Sequence, residues 1–205
     1  MENKEPQIVM VATGNAHKIV EIREILSDVM PNTEFRSIKE LGDAYIEPEE
    51  NGLTFEENAF IKAEAAHAFT GLPAIADDSG LVVDALNGEP GVFSARWAGV
   101  HGDDAANNRK LIEKLEDISE DDRSARFVSC VAFVSDEIRF CGIGYCEGSI
   151  GFEERGNNGF GYDPLFLPDD TPGKTMAELT PQEKNAISHR RHALDALADE
   201  LREIL

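Results

Sequence analysis

The chain has 205 residues, 41% of them hydrophobic and 7% aromatic, with a formal net charge of -21. That is enough apolar material for a core in one large domain or two small lobes, and too much for a disordered chain. A field this negative repels nucleic acid and anionic membrane, so an anionic ligand has to be met by a local exception: a few cations, backbone amides or a metal ion.

No apolar run approaches the roughly 20 residues of a membrane span. The opening "MENKEPQIVMVAT" has neither a basic leader nor a cleavable apolar stretch, which predicts a cytoplasmic protein without membrane attachment. Cys130, Cys141 and Cys146 lie in strand-like segments without metal-ligand spacing and read as core thiols of a reducing compartment.

"QIVMVAT" (7–13) is a continuous apolar run, as expected of a strand buried on both faces, and a Gly-Asn turn follows it. After the turn, Ile19, Ile22, Leu26 and Val29 recur at helical spacing through "AHKIVEIREILSDVM". The segment 54–71 predicts a second helix, opened by a Thr54/Glu57 capping box and stopped by Gly71. "LVVDAL" (81–86) predicts a strand, "NGEPG" a loop, and "DDAANNRKLIEKLE" a helix capped by Asp103. Residues 125–148 predict two strands joined at Asp136–Glu137, and "ERGNNGFGYDPLFLP" a long Gly-rich loop of the kind that carries function. Leu194, Leu197, Leu201 and Leu205 form the stripe of a C-terminal helix. With no repeat and no low-complexity linker, residues 1–205 read as a single α/β domain.

Five stretches carry chemistry. "TGNAHK" puts backbone amides and Lys18 at a helix start, a modest anion site without the P-loop spacing. "ADDSG" ends an apolar segment with two carboxylates and a Ser-Gly turn. Flanked by "PAIA" and "LVV", these acids belong to strand ends where an unpaired charge is costly, and a hard divalent cation would resolve the cost. "EPEENG" (47–52) supplies further carboxylates. "NNGFGYDPLF" offers Phe160 and Tyr162 on a Gly loop, where a flat ring suits stacking on a base. "EKNAISHRRHAL" is the densest cationic patch; Lys184 and His189 converge only if the helix breaks, and Ser188 is placed to cap a new one. Taken singly, "TGNAHK" reads first as a solvated turn and "EPEENG" as plain surface, and each of the others has a bland reading beside the functional one. Together they make the inventory of a nucleoside triphosphate site.

The chain resembles the inosine triphosphate pyrophosphatases through "VATGNAHKIVEI", "EENGLTFEENAFIKAEAA", "LPAIADDSGLVVDALNGEPGVFSARWAG", "GFGYDPLF" and "ELTPQEKNAISHRRHAL", in that order over nearly its whole length. The resemblance implies an elongated mixed β-sheet flanked by helices, with two lobes around a central active-site cleft, usually in a homodimer. It implies Mg²⁺-dependent hydrolysis of ITP, dITP and XTP to the monophosphate and pyrophosphate. Carried over position by position, Thr13, Gly14, Asn15, Ala16, His17 and Lys18 hold the phosphates, and Lys62 reaches them from its helix. Glu49 and Asp78 serve the metal, with Glu50 as the alternative to Glu49; Asp78 is also the proton acceptor, and Ser79 contacts substrate. Phe160, Gly161, Tyr162 and Asp163 frame the base, and Lys184, His189 and Arg190 complete its recognition. Val92, Phe93 and Trp97, in a Gly-Pro loop, are expected at the dimer interface. Two other readings remain: a related pyrophosphatase acting on modified pyrimidine or standard nucleotides, and a nucleotide-sensing module without turnover.

Overall fold

The computed structural model describes residues 6–13 and 16–204, with Ala16 and His17 by backbone alone. Six strands form one sheet: β1 (Gln7–Val11), β2 (Thr33–Ser37), β3 (Ala74–Val83), β4 (Ser124–Val134), β5 (Arg139–Ile150) and β6 (Phe166–Pro168), in the order β2-β1-β3-β4-β5-β6. β1 pairs in parallel with β2 and with β3, whereas β5 and β6 are antiparallel, so the sheet is mixed. The helices are α1 (Ala16–Leu26), α2 (Phe55–Thr70), α3 (Asp104–Lys114), α4 (Pro181–Ile187) and α5 (His189–Ile204). The expected α/β class, with a mixed sheet flanked by helices, is what the chain adopts. None of the helices among the described residues is long and apolar enough to cross a membrane.

Several boundaries differ from the sequence expectation. Asp77, Asp78, Ser79 and Gly80 do not form a turn: they lie inside the ten residues of β3, and Asp84–Leu86, expected in a strand, form a single 3-10 turn. β2 and β6 were not foreseen, the one being polar ("TEFRS") and the other only three residues long. Three local signals act where expected, one of them in part. Of the Thr54/Glu57 capping box, Thr54 Oγ1 accepts from Glu57 N at 3.1 Å, but the Glu57 carboxylate accepts from Leu53 N and not from Thr54 N; Gly71 ends α2 in the left-handed region at φ 68°. Ser188 separates α4 from α5 and accepts from Arg191 N at 3.1 Å. The stripe Leu194, Leu197 and Leu201 is fully buried, while Leu205 lies outside the described residues.

The chain divides into two compact units. The first comprises the chain up to Asp78, with Cys130–Gly144 and the chain from His192. Its core follows strand alternation. Val9, Val11, Ile75, Val131 and Phe133 pack with Ile22 and Leu26 of α1 and with Leu194, Leu197 and Leu201 of α5. The intervening residues Met10, Ala74, Ala76, Cys130, Ala132 and Val134 pack instead with Ala59, Phe60, Ala63 and Ala66 of α2. So α1 and α5 cover one face of these strands and α2 the other. Each large apolar side chain so buried contributes about 1.5–3 kcal/mol.

The second unit comprises Ser79–Ser129 and Tyr145–Arg191 and has its own core, including Leu81, Val83, Leu111, Leu115, Phe127, Ile150, Leu165 and Phe166. Arg123 is 2% exposed at its edge. Its guanidinium donates to the carbonyls of Leu115 (2.7 Å), Ile118 (3.3 Å) and Gly151 (2.8 Å) and stacks over Phe152. Burial lowers its pKa. A side chain that never loses its charge serves here as a pin for three loop carbonyls, at the point where α3 ends.

Gly142 shows how tightly the first unit is assembled. A Cβ built there would lie 2.2 Å from Ala193 O and 2.5 Å from Leu197 N, so β5 and α5 meet backbone to backbone. Gly142→Ala has to push α5 off the sheet, and overpacking of this kind costs about 1–3 kcal/mol. Chemical denaturation of the variant is expected to show that loss; unchanged stability would mean that α5 yields without cost.

Candidate functional site

The first cluster arises because β1 stops before its neighbour does. Ala12 N makes the last bond of this edge, to Ile75 O at 2.8 Å, and β3 then runs on through Asp77 and Asp78. In open α/β sheets, ligands collect beyond the carboxyl ends of strands. Neighbouring residues of a strand point to opposite faces. Asp77 accordingly takes Lys18 of α1, with Nζ 2.9 and 2.8 Å from its two oxygens. Asp78 takes Lys62 of α2, with Nζ 3.2 Å from Oδ1, and the same ammonium is 3.2 Å from Glu50 Oε1. A cavity of about 180 Å³ is lined by Thr13, Lys18, Tyr45, Glu47, Glu50, Lys62 and Asp77, among others.

The loop before α2 is held in place from below. Asn58, fully buried, accepts from Gly52 N at 2.8 Å through Oδ1, and a Cβ on Gly52 would come within 2.7 Å of that oxygen. Glu57 Oε2 accepts from Leu53 N at 2.6 Å. On the other side, Ser37 Oγ donates to Thr13 O at 2.7 Å, tying the end of β2 to the end of β1.

Burial raises the pKa of Asp78; Lys62 opposes that shift and Glu50 adds to it. Burial alone would lower Lys62, but Asp78, Asp77 and Glu50 outweigh it and its pKa is raised. Asp78 Oδ2 is buried and completes no hydrogen bond of normal geometry among the described residues; nor does Asn58 Nδ2, whose amide still pulls weakly on this carboxylate. Tyr45 Oη is likewise buried without a partner among the described residues. Burial first, then Glu47, raises its pKa, so the phenol stays protonated.

Of the residues expected on the phosphates and metal, the fold brings Thr13, Lys18, Lys62 and Asp78 into this cluster. Gly14 and Asn15 lie outside the described residues, as do the side chains of Ala16 and His17. Glu50, not Glu49, reaches Lys62; Glu49 is exposed. No three His, Cys, Asp or Glu side chains among the described residues converge into a preformed metal cage. Ser79 begins the second unit's part of β3 and is half-buried. Asp77, expected with Asp78 to await a cation, pairs with Lys18 instead. Tyr45 was missed, and nothing in "GDAYIE" marks it.

The second cluster is built within the second unit on the Gly-rich loop. Asp163 is buried; its Oδ2 accepts from Phe160 N at 2.9 Å and from Lys184 Nζ of α4. A Cβ on Gly159, whose φ is 78°, would lie 2.0 Å from that same oxygen, so only glycine lets the loop wrap the carboxylate. Asp104 Oδ2 accepts from Gly161 N at 2.7 Å, and Asn108 donates to Gly161 O at 3.1 Å. Tyr162 is a strut: its ring is buried and its Oη donates to Ser94 O at 2.9 Å. Phe160 is 63% exposed, and Lys184 Nζ lies 4.5 Å from its ring centre. At the start of α5, His189 stacks on Phe127 and Arg190 is nine-tenths buried. Phe93 and Val100 are exposed, whereas Trp97 is half-buried with Lys110 over its ring.

With this geometry in hand, comparison with known proteins is specific. The model of the Ham1 family matches residues 9–200. A dITP/XTP pyrophosphatase of Haemophilus influenzae is 49% identical over 198 residues, covering 95% of this chain and 99% of that one. The solved structure of a HAM1 protein from Coxiella burnetii is 45% identical, with a TM-score of 0.86 over 96% of this chain and 99% of that one. A Mycobacterium abscessus structure described as a nucleoside-triphosphatase and dITP/XTP pyrophosphatase is 47% identical, with a TM-score of 0.81 over 96% of this chain and all of that one.

The charge geometry predicts a stability effect of known sign. The Asp78 pKa is raised on folding, so its ionisation opposes folding. The penalty is absent below the unfolded value near 3.8 and full above the raised value. Asp78→Asn removes the charge and keeps the shape. Its melting temperature is expected to exceed that of the wild type at neutral pH, with the gap closing as the pH falls towards 4. A variant that melts lower at pH 7 would mean that the Lys62 pair outweighs the desolvation.

Proposed function

The chain belongs to the Ham1 family, and from that premise we propose that it hydrolyses non-standard purine nucleoside triphosphates (ITP, dITP and XTP) to the monophosphate and pyrophosphate, with Mg²⁺, in the cytoplasm. The observation that carries the reading is the pairing of two lysines with buried carboxylates around one small polar cavity beyond the end of β1. A structural protein has no use for so costly an arrangement. We take both units as one catalytic domain and the chain as a homodimer, with the exposed Phe93 and its neighbours at the contact.

The residues present fit a hard divalent cation. Among the described residues Asp78 Oδ2 is buried without a completed hydrogen bond, and the acids around it offer oxygen alone. Asp78 with Glu50, or with Glu49 after a shift of the loop, would hold the ion, which when bound supplies positive charge to the departing pyrophosphate. Lys18, Lys62 and the backbone from Thr13 to Lys18 bind and orient the phosphates. Asp78 accepts the proton of a water aimed at the α-phosphorus. The new P–O bond forms as the bond to the β-phosphate's bridging oxygen breaks.

For the base, the exposed Phe160 ring offers a stacking surface, and Gly161, Tyr162 and Asp163 fix the loop that carries it. Lys184, His189 and Arg190 act mainly as donors. Hypoxanthine and xanthine present an acceptor oxygen at C6, where adenine presents a donor amino group. Buried donors left unpaired by the wrong base can discriminate by up to about 10⁴-fold.

The test is pyrophosphate release across a nucleoside triphosphate panel, with and without Mg²⁺. ITP, dITP and XTP are expected to turn over and ATP hardly at all; a panel led by modified pyrimidines or ATP would overturn the reading. Asp78→Asn is expected to lose about 10²-fold or more in kcat. Arg190→Ala, with folding verified by its melt, is expected to narrow the ITP-over-ATP ratio of kcat/KM.

A further inference from the structure

Asp77 is 4% exposed and chelates Lys18 through both oxygens. The cavity beside it is poorly charged for an anion. Glu47, Glu50, Asp77 and the neighbouring Asp78 set four formal negative charges against the two ammonium groups of Lys18 and Lys62, and both of those are held by acids. A triphosphate or pyrophosphate approaching this cavity meets net repulsion inside a protein of charge -21.

The geometry points to Asp77 as a positioning residue that makes phosphate binding conditional on the divalent cation: it holds Lys18 at the cavity and cancels that charge until the cation offsets the acids. The inference rests on the pyrophosphatase reading for its substrate, and on the Lys18–Asp77 pair alone for its mechanism. It separates two uses of one lysine. Without the cation, Lys18 and Asp77 act as a neutral pair and contribute little to anion affinity. With it, the local excess of negative charge is relieved, and Lys18 can be shared with a phosphate oxygen while Asp77 keeps its ammonium in place. Asx chemistry allows this to be tested cleanly, because asparagine retains one acceptor for Lys18 and removes the charge.

Calorimetry with inorganic pyrophosphate, in EDTA and then in Mg²⁺, reads the coupling without turnover. The wild type is expected to bind weakly in EDTA and far more tightly with Mg²⁺. Asp77→Asn is expected to bind about tenfold or more tightly than the wild type in EDTA, by loss of a like charge at close range, and to gain less from Mg²⁺. The double variant Lys18→Met/Asp77→Asn keeps the net charge of the wild type; it is expected to match the wild type in EDTA and to fall below it in Mg²⁺. Melting curves verify that each variant folds. Equal EDTA affinities for wild type and Asp77→Asn, or a double variant that loses equally in both conditions, would overturn the inference. A wild type that shows this coupling but releases no pyrophosphate from ITP would overturn the functional reading and leave the coupling standing.

Discussion

The first unit is organised around a mismatch of strand length: β1 ends at Val11 while β3 carries two carboxylates past that end. Buried acids need cations, and the alternation of a strand sends them to opposite faces in search of one. Lys18 arrives from α1 on one face and Lys62 from α2 on the other. The packing that fixes α1 and α2 on those faces, Ile22 and Leu26 against Val9 and Ile75, and Ala59 and Ala63 against Ala76, thereby fixes the charges. Hydrophobic core and polar cluster are two consequences of one register.

The second unit solves a different problem with similar economy. A Gly-rich loop has little apolar surface with which to hold itself, so Asp163 and Asp104 take its amides and Asn108 donates to its Gly161 carbonyl. Tyr162 anchors the same loop through the Ser94 carbonyl. What this leaves in solvent is a single aromatic ring, Phe160, with a lysine against it. A rigid loop that exposes one flat apolar surface beside cationic donors is suited to a ligand with a π-face and acceptor atoms on its edge.

The sequence made some of this plain and hid the rest for physical reasons. Local signals were readable: the Thr54 cap, the Gly71 stop and the Ser188 break each involve groups within a few residues of one another. The Asp pair was legible as costly, but its place was not. Adjacent acids followed by Ser-Gly have the composition of a turn, and only partners 59 and 16 residues away let them sit inside a strand. β2 was hidden because it is polar, with Phe35 as its one fully buried residue. In the resemblance, the choice between Glu49 and Glu50 rested on two adjacent acids; which of them lies within reach of Lys62 depends on the path of the loop before α2, and it is Glu50 that pairs there. Tyr45 and Arg123 matter through what surrounds them, which no local pattern encodes.

The alternation at Asp77–Asp78 also bears on how this chain can change. Substitutions alter one contact at a time, but deleting a single residue between Ile75 and Asp77 would turn every later side chain of β3 through the sheet. The acid that serves α1 would then face α2, its neighbour would face α1, and the apolar set from Leu81 to Val83 would invert with them. Length variation is therefore shut out of this strand and left to solvent-facing connections between elements. An engineer seeking new specificity must leave the count of residues in β3 alone.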